Sequence, residues 1–129
     1  MEIKDKNVLV IGSETPWIEA MLLTKGVKSV TTLEYKRIKT QHPKLSTVLP
    51  HEFDELYKNG TRFDALVSYS SVEHGGLGRY GDRLNPWGDL ITMAKSWCIL
   101  KSRAFALVGV PSYKDYLMVS GILYHNVEK

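Results

Sequence analysis

Asn7-Val-Leu-Val-Ile11-Gly12, then Thr15-Pro16-Trp17-Ile18 running on to Met21-Leu22 and Gly26, then Ser29-Val-Thr-Thr-Leu-Glu34-Tyr35, is the stretch that decides the fold. An unbroken apolar run closed by glycine suits a strand buried on both faces, as in a parallel sheet. Pro16 suits the first turn of a helix, because the N–H it lacks would be unpaired there, and it biases Thr15 toward the extended geometry of a cap. Trp17, Ile18, Met21 and Leu22 form a helical stripe that Gly26 terminates, and the β-branched run after it is a second strand. Strand, helix and strand within about thirty residues make one right-handed parallel unit.

Working outward, Lys36 to Pro50 is polar and carries Pro43 and Pro50, which leaves a loop with a short strand around Ser46 to Leu49. His51 to Lys58 places Phe53, Leu56 and Tyr57 at helical spacing and stops at Asn59-Gly60. Phe63 to Tyr69 reads as a second buried strand, followed by Ser70-Ser71-Val72-Glu73-His74 and a glycine-rich loop from Gly75 to Asp82. Asn85-Pro86 repeats the cap-plus-proline start. Trp87, Leu90, Ile91, Ala94, Trp97 and Cys98 then share one helical face, which predicts a core-facing helix. Arg103 to Val110 reads as a third buried strand halted by Pro111, and Tyr116 to Tyr124 is an apolar run open to either strand or helix. The alternation predicts an α/β doubly wound, mostly parallel sheet in a single domain over residues 1–129.

Composition bounds the rest. Seventeen Lys and Arg against fourteen Asp and Glu give a formal charge of +3 on 129 residues, and 43% are hydrophobic, an ordinary globular balance that excludes a disordered or supercharged chain. Lys36, Arg37, Lys39 and Lys44 are the nearest approach to a basic cluster, so nucleic acid is not the expected partner. Cys98 is the only cysteine, which excludes an internal disulfide and a paired-cysteine zinc site, fits a reducing cytoplasm, and predicts a small buried hydrophobe. The N-terminal residues lack the pattern of a signal peptide and no run approaches the length of a membrane span, so a cytoplasmic protein without membrane contact is expected.

The order of parts resembles the Rossmann-like fold of class I methyltransferases, a superfamily that uses S-adenosylmethionine as methyl donor. Val8-Leu-Val-Ile-Gly12 matches its first strand and turn, Glu34 the acidic end of its second strand, Phe63 to His74 its fourth-strand segment, and Leu100 to Pro111 its fifth strand. More narrowly, Gly12-Ser13-x-x-Pro16-Trp17-x-Glu19, Ser71-Val-Glu-His74-x-Gly-Leu-Gly-Arg-Tyr-Gly-Asp82 and Gly88-Asp89-Leu90 resemble a domain family of unknown function placed within that superfamily. Where the common turn has acidic-x-Gly-x-Gly-x-Gly, this chain has Val10, Gly12, Glu14 and Pro16, so one glycine remains. Only 18 residues follow Pro111, where the superfamily adds two further strands, and the reading is of a C-terminally shortened fold.

The resemblance implies a donor site of Gly12, Ser13, Glu34, Tyr35, Ser70 and Ser71. Gly12 would permit close backbone approach of a ligand at a helix start, and Glu34, about twenty residues on, is placed to accept hydrogen bonds from ribose hydroxyls. Arg79 and Tyr80 would stand on the substrate side. Glu73, His74 and Asp82 are the catalytic candidates, His74 as general base because an ordinary imidazole titrates at about 6.5. No metal site is expected; His42, His51 and His125 join no cluster. Gly76-Leu-Gly78-Arg-Tyr-Gly81 is formally a dinucleotide fingerprint, but it does not join a strand directly to a helix, so that reading is rejected. The alternative is a catalytically inactive binding or assembly module. Its fifth strand, left with an open apolar edge, would be covered by Tyr116 to Tyr124 or paired with a second copy.

Overall fold

A computed structural model describes residues 2–112, 116–119 and 122–125. The elements are β1 (Asn7–Ile11), α1 (Trp17–Thr24), β2 (Ser29–Leu33), β3 (Leu45–Val48), α2 (Pro50–Lys58), β4 (Phe63–Tyr69), a single 3-10 turn (Val72–His74), α3 (Gly88–Ile99), β5 (Leu100–Gly109), β6 (Tyr116–Val119) and β7 (Ile122–His125). Five strands form one parallel sheet in the order β3-β2-β1-β4-β5. The fold is therefore the expected doubly wound α/β architecture. The strand order reverses direction between β1 and β4, and their C-terminal ends open the crevice in which such sheets bind ligands.

Each sheet face has its own core. Val8, Val10, Val30, Ala65 and Val67 pack with Ile18 and Leu22 of α1 on one face. Leu9, Ile11, Val48 and Leu66 pack with Phe53 of α2 and Ile99 of α3 on the other. Because strand side chains alternate, β1 contributes to both cores and is buried along most of its length. Asp64 pins the sheet from below: it accepts from Asn7 N–H of β1 at 2.9 Å and pairs with Lys101 Nζ of β5 at 2.7 Å.

Three expectations are corrected. α1 begins at Trp17 with Pro16, not Thr15, at the cap, and no side chain caps it. β5 is an exposed edge strand, not a buried one: among the described residues it pairs only with β4, and Leu107, Val108 and Val110 stand out to solvent. The stripe on α3 also faces outward, with Trp97 77% exposed, Trp87, Leu90 and Ile91 exposed, and Cys98 an exposed free thiol instead of a core residue.

The rotation of α3 has a backbone cause. A Cβ on Gly88 would lie 2.7 Å from the carbonyl of Gly75, so the helix start and the glycine-rich loop touch main chain to main chain. That contact turns Met93, Ser96 and Ile99 toward the sheet. Thr92 and Ser96 tolerate this orientation because their hydroxyls donate to the carbonyls of Gly88 and Thr92, four residues back, at 2.8 and 2.7 Å.

The apolar run from Tyr116 resolves into an antiparallel hairpin, β6 pairing with β7 from Tyr116↔His125 to Val119↔Ile122. This two-stranded sheet is separate from the five-stranded one, so it does not cover the β5 edge by strand pairing.

Candidate functional site

The turn after β1 is built from two unusual backbone positions. Gly12 has φ +76° and Ser13 φ +115°, and the latter is a strained value for a residue with a side chain. Ser13 is held there by its hydroxyl, which contacts Thr15 O at 2.9 Å and Glu19 Oε2 at 2.8 Å. Glu19 projects from α1 into a fully buried position, where its other oxygen accepts from Thr32 Oγ1 of β2 at 2.7 Å. A buried carboxylate flanked by two hydroxyl donors thus joins β2, α1 and the turn. The space beside Gly12 is filled: a Cβ there would lie 1.9 Å from Ser71 Oγ. The glycine permits close approach of the loop after β4 and not, as its place after β1 suggests, of a ligand.

β2 delivers Glu34 and Tyr35 to the same end of the sheet. Glu34 Oε1 accepts from Tyr35 N–H at 2.6 Å, leaving Oε2 without a hydrogen bond among the described residues. Burial raises the Tyr35 phenol above its ordinary value of 10.0, and the carboxylates of Asp82 and Glu34 add to the effect, so the ring stays neutral. Beyond it, Arg37 is tied to Glu52 and to Thr47 O, whereas Lys36 and Lys39 form no ion pair among the described residues.

The opposite wall comes from the segment after β4. Ser70, at φ +47°, is a second strained non-glycine position. Its hydroxyl donates to Glu73 Oε1 at 2.9 Å, while Glu73 Oε2 is buried with no partner among the described residues. His74 Nε2 stands 3.8 Å from Glu73 Oε1, and its ring meets Tyr80 edge-on at 6.0 Å. Tyr80 in turn lies nearly parallel to Tyr35, centroids 6.1 Å apart, and carries the Arg79 guanidinium over its ring at 5.5 Å. The glycine-rich loop therefore reaches across from β4 to touch the residue that follows β2.

These parts enclose a cleft of about 810 Å³, within the range of small-molecule sites. Of the residues singled out from sequence, Gly12, Ser13, Glu34, Tyr35, Ser70, Ser71, His74, Arg79 and Tyr80 line it. Glu73 and Asp82 stand behind the wall. Asp82 accepts from Gly76 N–H at 2.7 Å and Tyr80 N–H at 3.2 Å, which shapes the loop that presents Tyr80. Trp17 and Glu19 stand in the sequence motif without an expected site role, and Tyr69 is expected only as part of a strand. Trp17 and Tyr69 meet edge-on at 5.7 Å on the cleft's rim. For Glu19 a signal existed, since a carboxylate between Ile18 and Leu22 lies on the helix face that must be buried.

Among the described residues, no group of three or more His, Cys, Asp or Glu side chains is set to hold a metal ion. No helix among them is long and apolar enough to cross a membrane. A comparison with curated proteins found no match. The family model described as Caenorhabditis protein of unknown function, DUF268, matches residues 5–125, nearly the whole chain, and the protein belongs to that family.

Proposed function

We propose that this cleft binds S-adenosylmethionine and that the chain is a methyltransferase, or a methyltransferase-like domain. The observation that carries the reading is the placement of Glu34 and Tyr35 beside the Gly12–Ser13 turn in one cleft at the point where the strand order reverses. The residues fit the donor best at its nucleoside end. Glu34 Oε2 is available to accept from a ribose hydroxyl, and the neutral Tyr35 ring offers a face to adenine. At the other end Glu14 lines the wall near the start of α1, where its carboxylate suits the donor's ammonium.

When bound, S-adenosylmethionine supplies an electrophilic methyl group on a sulfonium. The chain's own contribution is alignment: methyl transfer needs a nucleophile held in line and kept from water. Tyr80, stacked on Tyr35, closes that side of the cleft. His74 Nε2 is the group positioned to take a proton from an acceptor, with Glu73 Oε1 3.8 Å away. A lone thiol suits a reducing compartment, and the cytoplasm is the proposed setting.

Calorimetric titration with S-adenosylmethionine and S-adenosylhomocysteine tests the reading. Glu34→Ala is expected to weaken both by about 1–3 kcal/mol, which is roughly 5- to 150-fold in Kd. Absence of binding by folded wild-type protein would sink it.

A second reading, a catalytically inactive assembly module, is favoured by one observation: Trp87 at the cap of α3, Leu90, Ile91 and Trp97 on α3 and Leu107 on β5 are all exposed. Apolar surface of this kind marks interaction sites. Light scattering separates the cases, since a dimer disrupted by Leu107→Lys would point to edge pairing of two copies and a monomer would exclude it.

A further inference from the structure

Cations line the cleft from both sides. Lys36, Arg37 and Lys39 come from the segment after β2, and Arg79 comes from the glycine-rich loop, against only two carboxylates, Glu14 and Glu34. Arg37 is neutralised by Glu52, and Glu34 is partly engaged by the Tyr35 backbone. Lys36, Lys39 and Arg79 have no anionic partner among the described residues, as is also true of Lys25 and Lys28; what sets the three apart is that they line one cleft. Arg79 is also restrained, because its guanidinium rests on Tyr80, which is stacked against Tyr35. Fixing a guanidinium in advance lowers the ordering cost of forming its planar pair of hydrogen bonds.

We infer that this cleft takes a small molecule bearing a multiply charged oxyanion, phosphate or carboxylate, held between Lys36 and Lys39 on one wall and Arg79 on the other. This rests on the methyltransferase reading in one respect: on that reading the oxyanion belongs to the methyl acceptor, since the zwitterionic amino-acid end of the donor has no need of three cations. The oxyanion site itself stands on the geometry alone. Three cations lining one cleft beside an aromatic pair suit a compact polyanion, which they would hold by charge-assisted hydrogen bonds.

The experiment titrates the full chain with inorganic pyrophosphate and, separately, with citrate, by calorimetry at low ionic strength. Each titration is repeated on Lys36→Gln/Lys39→Gln, on Arg79→Gln and on Lys25→Gln/Lys28→Gln, the last pair being exposed and outside the cleft. All substituted side chains are exposed, so folding is expected to survive. The expected result is binding that falls about tenfold or more in each cleft variant and is unchanged in the Lys25/Lys28 variant. Pyrophosphate binding without citrate binding assigns a phosphate ligand, and the converse assigns a carboxylate.

Absence of binding by wild type, or equal losses in the cleft and control variants, overturns the inference. So does binding of oligouridylate, steeply weakened by salt, without binding of pyrophosphate or citrate, which would assign the cations to an RNA backbone. S-adenosylhomocysteine is titrated against the same proteins. Donor binding with no oxyanion binding overturns this inference alone; oxyanion binding with no donor binding overturns the methyltransferase reading and leaves the oxyanion site in place.

Discussion

A Cβ on Gly12 would lie 1.9 Å from Ser71 Oγ and 2.4 Å from Ser71 Cβ. Two segments about sixty residues apart in sequence, the turn after β1 and the loop after β4, are therefore in contact at the floor of the cleft. Gly12→Ala faces both this overlap and a backbone at φ +76°, and it is expected to cost about 2–4 kcal/mol in urea unfolding. Adding Ser71→Gly should recover the steric part and leave the conformational part. A loss below about 0.5 kcal/mol for Gly12→Ala would refute the contact.

Glu19 is the buried link between β2, α1 and the strained Ser13. Glu19→Ala leaves the buried Thr32 hydroxyl without its acceptor and the Ser13 hydroxyl with Thr15 O alone, and about 1–3 kcal/mol of stability should be lost. Glu19→Gln retains one acceptor oxygen and should cost less. Because Ser13 lines the cleft, the same variants should weaken ligand binding in calorimetry. An Ala variant as stable as wild type would show that the carboxylate is not shared as described.

Asp64 gives the fold an acid-sensitive tie. Burial alone would raise its pKa, but hydrogen bonds from Lys101 and the Asn7 backbone, with the charges of Lys101 and Lys6, outweigh burial and hold it below the ordinary carboxylate range. A carboxyl depressed in the folded state contributes stability that is complete above its unfolded pKa of about 3.9 and is lost as pH falls through the lower folded value. Asp64→Asn should therefore lower stability by about 1–2 kcal/mol at neutral pH and flatten the stability curve below about pH 4. Unfolding midpoints over a pH series decide the matter: parallel acid limbs in the two proteins would contradict it.

Trp97 and Cys98 test the rotation of α3. Trp97→Ser should alter monomer stability by no more than about 0.5 kcal/mol, where a buried tryptophan would cost several. Cys98 in native protein should react fully with a thiol reagent without denaturant. A thiol that reacts only after unfolding would place the α3 stripe in a core.

Tyr80 ties the glycine-rich loop to Tyr35. Tyr80→Ala should weaken binding of a nucleoside-bearing ligand by about 1–2 kcal/mol while leaving the unfolding midpoint near wild type, because the ring is exposed. Unchanged affinity for S-adenosylhomocysteine would remove Tyr80 from the site.

The strands β1 and β4, the strand after α1 and the α/β class were legible in sequence for one reason. A parallel strand buried on both faces needs an unbroken apolar run, and Asn7 to Ile11 and Phe63 to Tyr69 are such runs with punctuation at both ends. The cleft end of the sheet was legible too, because Gly12, Glu34 and Ser70–Ser71 fall just beyond strand ends and topology brings strand ends together. Tertiary structure alone decided which face of α3 looks inward, since periodicity gives the width of an apolar stripe but not its direction, and the backbone contact of Gly75 with Gly88 sets that rotation. It also decided the role of Gly12, the burial of Glu19 and the placing of Lys36, Lys39 and Arg79 along one cleft. Each depends on how distant segments are juxtaposed, and the path of a chain through a crossover sheet is set by packing on both its faces at once, which no local pattern encodes.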